Sequence, residues 1–384
     1  MKLLNAKKIV IASCAAVLAA SAALLFSSCQ DVIYANIRKE VSLKSATVKS
    51  DIRSIIRFND QFYCANGNIY RKSNGANYYG AWQRSSAPSG QVLKLAADST
   101  NIYALVGISK EDLTEGENVP VRRELWYSND GSSWNKVTGV YGSGTIPYNN
   151  SAKIETYLFC TNAIASANRK AYFIVRGGAA GYKAYELNGS GVSKTWGSGT
   201  GETAFSTTNA DEDPICNASN VSRSCVYDGS AVRFFTSTGS CTNETTTGYD
   251  GSEKIYYYGD GGTLKWGEMG SSTVKGSVGA YASVYSIGYT SDYLLVGTTS
   301  GLTHHPLTAN VPGSSSRQFK TNADATLSTQ YTILAILVVN PEKTELSTAI
   351  YASQNYTGSG SNSAQFDHIC MWAYYPERGE WNRD

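Results

Sequence analysis

Beyond residue 52, most of the chain is built from short apolar or alternating runs, each closed by Gly, Asn, Asp, Ser or Thr. That rhythm predicts strands, because side chains on a strand alternate between two faces, whereas an amphipathic helix needs apolar positions three and four apart. The clearest runs are SIIRF (54–58), FYCAN (62–66) and NIYRK (68–72), then VLKLAAD (92–98), NIYALVG (101–107) and ELWYS (124–128). IETYLFC (154–160), KAYFIV (170–175) and KAYEL (183–187) continue the pattern, as do SRSCVYD (222–228), AVRFFTS (231–237) and KIYYYG (254–259). The last are VYSIGYTSD (284–292), YLLVGTTSG (293–301), YTILAILVV (331–339), STAIYASQ (347–354) and ICMWAYY (369–375).

A strand–turn–Trp unit recurs along these runs. Trp82, Trp134, Trp196, Trp266 and Trp381 are expected at the start of the fourth strand of successive units, with Trp126 and Trp372 in third strands. In the long gap between Trp266 and Trp381 a unit lacks its Trp, and His304–His305 stand near that place. Repeats of this kind predict an all-β fold, a β-propeller of about six four-stranded blades. The expected blades are 52–90, 91–143, 150–197, 221–269, 280–310 and 329–384, with long insertions at 108–123, 197–220, 238–253 and 308–328. A seventh blade hidden in a loop, or a pair of β-sandwiches, is the alternative.

The N-terminus reads differently. MKLLNAKK is basic, residues 9–26 are uncharged and apolar, and Ser27–Ser28 precede Cys29, which together make a secretory signal peptide over 1–28. LFSSC (25–29) resembles a bacterial lipobox, and its Phe26 is similar to the variation found in spirochaete-type lipoproteins. The resemblance implies that Cys29 is lipidated and holds the protein to a membrane of the cell envelope: the outer membrane or the periplasmic face of the inner one. Palmitate is among the acyl groups expected there. Cleavage at Cys14 would leave too short an apolar segment, and an uncleaved membrane span is the rival reading. Residues 29–51 are expected to be a tether, with 32–42 able to pair with the last blade instead.

Charge narrows the partners. The formal charge of +2 becomes −1 once the leader takes Lys2, Lys7 and Lys8 away, and no basic stripe marks a nucleic-acid surface. No cofactor is expected, since the chain has no phosphate-binding glycine loop and no G-x-S-x-G turn. No metal site is expected either. His304 and His305 would point to opposite faces of a strand or stand at its end, His368 is distant, and Asp211–Glu212–Asp213 lacks the Gly and Glu of a calcium loop. Cysteines in an exported protein can pair, and a hairpin turning at Asp228–Gly229 would set Cys216 opposite Cys241; the alternative is six unpaired thiols.

SNDGSSW (128–134) and GDGGTLKW (259–266) resemble the degenerate Asp-box turns of sialidase-type propellers, a structural turn away from the active site; Asp130 is expected to cap its own turn. The Arg-Ile-Pro segment of that family is missing. No catalytic residue is assigned. The function expected is a membrane-anchored, non-enzymatic binding or scaffold module for a protein or glycan, engaged through propeller loops. Alternatives are an exported carbohydrate-active hydrolase or lyase with carboxylates in a central funnel, and a surface adhesin. Tyr78–Tyr79, Tyr256–Tyr258 and Tyr374–Tyr375 would each place at least one ring outward on a strand, while for any one Tyr a core position is the stronger expectation.

Overall fold

The structure is a computed structural model. It describes residues 46–49, 52–73, 80–108, 122–140, 145–147, 155–160, 169–176, 182–197, 222–227, 232–237, 245–247, 254–260, 263–268, 274–281, 284–314, 317–318, 331–356 and 369–384. Apart from a 3₁₀ turn at Glu345–Ser347, regular structure among these residues is entirely strand.

The first sheet holds β1 (Ile55–Phe58), β2 (Gln61–Ala65), β3 (Ile69–Ser73) and β4 (Gln83–Arg84) in sequential order. Phe58 faces Gln61 across a two-residue turn in which Asn59 and Asp60 both take positive φ, the turn that matches strand twist. The second contains β5 (Gln91–Ala97), β6 (Ile102–Ile108), β7 (Arg122–Ser128) and β8 (Asn135–Lys136), with β9 (Thr145–Pro147) added beside β7. The third contains β10 (Glu155–Cys160), β11 (Ala171–Arg176), β12 (Tyr182–Asn188) and β13 (Gly191–Gly197). A two-stranded hairpin follows, β14 (Ser222–Tyr227) and β15 (Val232–Ser237). The fifth sheet holds β16 (Thr245–Thr247), β17 (Lys254–Asp260), β18 (Thr263–Glu268) and β19 (Val274–Val278). The sixth holds β20 (Val284–Tyr289), β21 (Tyr293–Thr298), β22 (Gly301–Thr308) and β23 (Val311–Pro312), with β24 (Arg317–Gln318) beside β22. The seventh holds β25 (Tyr331–Val338), β26 (Ile350–Tyr356), β27 (Met371–Tyr375) and β28 (Glu380–Arg383).

All pairings are antiparallel, and six of these sheets have four strands or more. First strands pack on one another from sheet to sheet: β1 on β5, β5 on β10, β20 on β25, and β25 back on β1. The residues from Ala46 to Asp384 form one unit, and its fold is the expected all-β propeller. The core lies between neighbouring sheets. One cluster joins the first three, with Tyr63, Leu95, Tyr103, Leu125 and Phe173; another joins the first and seventh, with Phe62, Trp82, Leu337 and Tyr351. A third cluster joins the fifth and sixth, with Tyr257, Leu264, Ile287 and Leu294. Burying one such side chain contributes roughly 1.5–3 kcal/mol, which is why an alternating apolar pattern suffices to set the register of each strand.

Several expected boundaries move. The stretch 221–269 is not one blade, because Thr245–Thr247 pairs with Lys254–Tyr256 and opens a new sheet. Trp266 is therefore in a third strand rather than at the start of a fourth. Trp196 is in a fourth strand but near its end, since β13 begins directly after the turn at Gly189–Ser190. Trp82 and Trp134 directly precede β4 and β8, Trp381 is in β28, and Trp126 and Trp372 are in third strands. The hairpin register sets Ser222 opposite Ser237, where a turn at Asp228–Gly229 would have set it opposite Phe235. Cys216 and Cys241 themselves, like Cys14, Cys29, Tyr78–Tyr79, Asp211–Asp213 and His368, lie outside the described residues.

Ring closure rests on a buried charge. Lys72 Nζ of β3 and Trp82 Nε1 both donate to Asp384 Oδ2, the indole at 3.1 Å, and Tyr375 OH donates to the same oxygen at 2.9 Å. The side chains of Lys72 and Asp384 are 1% and 2% exposed. The rings of Trp82, Tyr351 and Tyr375 surround the ammonium with centroids at 5.7, 5.2 and 5.3 Å. The residues joined are 312 apart in sequence, one on the first sheet and one following the last.

Candidate functional site

In an antiparallel meander, successive connections alternate ends. The first–second and third–fourth connections of each sheet share one end, called here the turn end. The second–third connections and the links between sheets share the other, the loop end. The two ends are built differently.

At the turn end the first, second and fifth sheets each meet the next through a tyrosine of the second strand. Tyr63 OH of β2 presses on Gly131 in the β7–β8 turn, where a Cβ would meet the hydroxyl at 2.2 Å; Gly131 has φ +72, so glycine is needed twice over. Tyr103 OH of β6 accepts from Gly189 N in the β12–β13 turn at 2.8 Å and itself donates to Asp98. Tyr257 OH of β17 donates to Asn310 O in the β22–β23 turn at 2.5 Å. Burial, then the neighbouring Asp98 carboxylate, push the Tyr103 hydroxyl far above the usual phenol range. The buried Arg169 guanidinium adds a brace, donating to Asp98 O from Nε and NH2 at 3.0 and 2.8 Å and to Arg57 O at 2.6 Å.

The Asp130 turn caps itself. Its Oδ1 accepts from Ser132 N and Ser133 N, both at 2.7 Å, and from Ser128 Oγ at 2.8 Å. The Ser133 and Ser132 amides, followed by that hydroxyl, hold its carboxyl well below the usual range. The second Asp-box-like stretch, 259–266, falls at a second–third connection, between Asp260 and Thr263. The two stretches thus occupy unequal places in their sheets, and neither is a repeat of the other.

The loop end offers strand termini and the long connections. Arg53 and Gln91 are exposed at the entries to β1 and β5. Three first strands break register at an apolar residue in their N-terminal halves: Leu93 in β5, Tyr285 in β20 and Leu334 in β25 have no partner across the ladder. Such bulges bend an inner strand and re-aim one side chain. Leu93 is 37% exposed, and Tyr285 and Leu334 are half-buried. Serines answer the interrupted ladder: Ser54 Oγ accepts from Leu95 N and Ser353 Oγ from Ala335 N, each at 2.9 Å. The strands β1, β5, β20 and β25 (IIRF, QVLKLAA, VYSIGY, YTILAILV) contain no Asp or Glu.

His304 and His305 sit inside β22, buried, rather than at a loop or strand end. They do face opposite ways. His304 Nδ1 is 2.7 Å from Glu345 Oε2 and stacks on Tyr293 at 4.6 Å. His305 donates from Nδ1 to Gly313 O at 2.9 Å and accepts from Tyr281 OH at Nε2. Burial holds the His305 imidazole below its ordinary range, which favours this neutral form. Among the described residues no group of three His, Cys, Asp or Glu could hold a metal ion. Cys64, Cys160 and Cys370 are buried, and burial pushes the Cys64 thiol well above the ordinary range. Tyr257, Tyr258, Tyr374 and Tyr375 are all core residues, so Tyr374–Tyr375 offers no outward ring; Tyr375 packs on Tyr351 and Tyr374 on Trp381. The tyrosine locks, the bulges and the Lys72–Asp384 joint were missed in the sequence. The recurring Tyr in FYC, NIYA and KIYYY was a usable sign of the first of them.

Residues 4–114 match the model of the TP013X lipoprotein family. The match supports a lipoprotein of the cell envelope. No curated protein matches the sequence. Among solved structures the chain is similar to the PQQ-bound aldose sugar dehydrogenase of Streptomyces coelicolor, with 11% identity, a TM-score of 0.41, and 84% of this chain and 95% of that one covered. It is also similar to the computationally designed Ika8 protein (9%, 0.37, 88% and 88%) and to Saccharomyces cerevisiae Sqt1 (9%, 0.39, 80% and 94%). TM-scores this low lend the chain neither a fold nor an activity. Among the described residues no helix is long and apolar enough to cross a membrane; residues 9–26 lie outside them.

Proposed function

We propose that this protein is a lipid-anchored envelope lipoprotein whose propeller is a non-enzymatic binding or scaffold module, engaging a protein or glycan through its loop end. Cys29 carries the lipid, residues 1–28 are removed, and the anchor keeps the domain at one membrane. The observation that carries this reading is the contrast between the two ends. At the turn end, tyrosine and arginine side chains tie adjacent sheets together, so a change there would cost fold stability. The long connections 109–121 and 357–369 leave from strand ends at the opposite side, in the sheets of β5 and β25, two first strands without Asp or Glu. A rigid scaffold with long connections on one side suits recognition.

The test is to replace 109–121 or 357–369 by a short Gly-Ser link in the full-length anchored protein. Cross-linking in intact cells, read by mass spectrometry, should lose specific adducts from at least one replacement while thermal unfolding is unchanged. Adducts unaffected by either replacement would refute the loop-end reading.

A further inference from the structure

We propose that Ala46–Lys49, together with Ile52, is a clasp: the residues that lead into the first strand also shut the ring, and peeling them away opens the seam between the first and seventh sheets alone. The inference holds whether or not Cys29 carries lipid. Of the residues expected to be a tether, Ala46–Lys49 fall within the same unit as the sheets. Thr47 N and Val48 N donate to Asp384 O at 3.1 and 3.5 Å, Met371 N donates to Val48 O at 3.0 Å, and Lys49 stands antiparallel to Cys370 as an isolated bridge. The segment therefore adds one isolated bridge and three backbone hydrogen bonds at the end of the seventh sheet.

It is fastened to the first sheet as well. Asn66 Nδ2 donates to Lys49 O at 2.5 Å, and the chain runs directly from Ile52 into β1. Ser353 Oγ of β26 donates to Ile52 O at 2.6 Å, using the same hydroxyl that accepts Ala335 N beside the bulge. Val48 and Ile52 are both fully buried, in the cluster that contains Ile55, Phe62 and Trp82 from one side and Leu337, Met371 and Ala373 from the other.

Thr47, Val48, Lys49 and Ile52 thus bond to both sheets. Asp384 is the shared fastening, its carbonyl to the clasp and its carboxylate to Lys72. Such a strip is a local unit of stability: few hydrogen bonds hold it, and its loss exposes one seam while the cores of the other sheets stay covered. A pull or a cut just outside Ala46 acts on this strip first.

Lys49→Cys in the full-length protein tests the geometry. Directly opposed residues of an antiparallel bridge lie within disulfide reach, about 4.5–5.5 Å between Cα atoms. Mild oxidation should join position 49 to Cys370, found as a linked peptide by mass spectrometry. Amide exchange should then slow by about tenfold or more at Ile55–Phe58 and Met371–Tyr375 relative to the reduced form, with Gly301–Thr308 unchanged. Val48→Asp should do the reverse at the same two segments. Should that variant fail to fold, Ser353→Ala removes a single bond to Ile52 and should speed exchange in the same direction. Absence of the cross-link, no change at the seam, or an equal change in all sheets would each overturn the clasp.

Discussion

Removing the charge of Asp384 should cost more stability than any exposed ion pair in this protein. Asp384→Asn keeps the shape of the side chain and leaves an oxygen for Trp82 Nε1 and Tyr375 OH, but it strands the Lys72 ammonium in a site where its side chain is 1% exposed. Taking one partner from a buried pair costs roughly 3–5 kcal/mol, against about 0–1 kcal/mol for a solvated pair such as Arg57–Asp60. Lys72→Met should cost a similar amount by leaving the carboxylate without its cation. The double variant Lys72→Met/Asp384→Asn strands no charge, and it should be more stable than the sum of the singles by about 2–3 kcal/mol. Flanking rings account for part of what remains, since the ammonium lies within 6 Å of three aromatic centroids. The assay is urea unfolding of detergent-solubilised protein followed by tryptophan fluorescence, with Trp82 a reporter inside the joint. Single variants costing under about 1 kcal/mol, or a strictly additive double, would refute a buried and mutually dependent pair.

Tyr103→Phe keeps the packed ring and removes the hydroxyl that serves both Gly189 N and Asp98; it should cost about 1–3 kcal/mol and speed amide exchange at Gly189, and a change under a few tenths would deny the lock. His305 is favoured neutral in the fold because burial lowers its pKa, so on acidification the unfolded chain takes up the proton first. Its contribution is complete above the unfolded value of about 6.5 and declines as pH falls through it; His305→Gln should flatten the stability slope between roughly pH 7 and 5, and identical slopes would contradict this. Metabolic labelling with an alkyne palmitate analogue should mark the wild type and Cys14→Ala but not Cys29→Ala, and label retained after loss of Cys29 would contradict the anchor.

Strand positions were legible because each apolar run buries one face against a neighbouring sheet, and SIIRF, NIYALVG and YTILAILVV all became strands close to their expected bounds. The grouping of strands into sheets was less so. Thr245–Thr247 has no apolar pattern to announce a strand, yet it pairs with Lys254–Tyr256, and that one short partner moved Trp266 from a fourth strand to a third. Indole position proved a poor ruler, because Trp134 is half-buried near Ser86 while Trp381 is fully buried in the last sheet. The phenols of Tyr63, Tyr103 and Tyr257 are a better one, since each reaches the same place on the following sheet. Bulges at Leu93, Tyr285 and Leu334 left no readable break in period, as their neighbours are mostly apolar as well. The Lys72–Asp384 joint could not be foreseen, because nothing local links residues 312 apart. Likewise, the clasp looked like linker because Ala46–Lys49 is too short to carry a strand pattern.

The two ends of the propeller can be compared directly with a photo-activatable side chain placed at Gln91 on the loop end or at Ser132 on the turn end, both exposed, in otherwise intact anchored protein. Irradiation of living cells should give discrete adducts from position 91 and none from position 132. Adducts from position 132 alone, or none from position 91, would contradict recognition through the loop end.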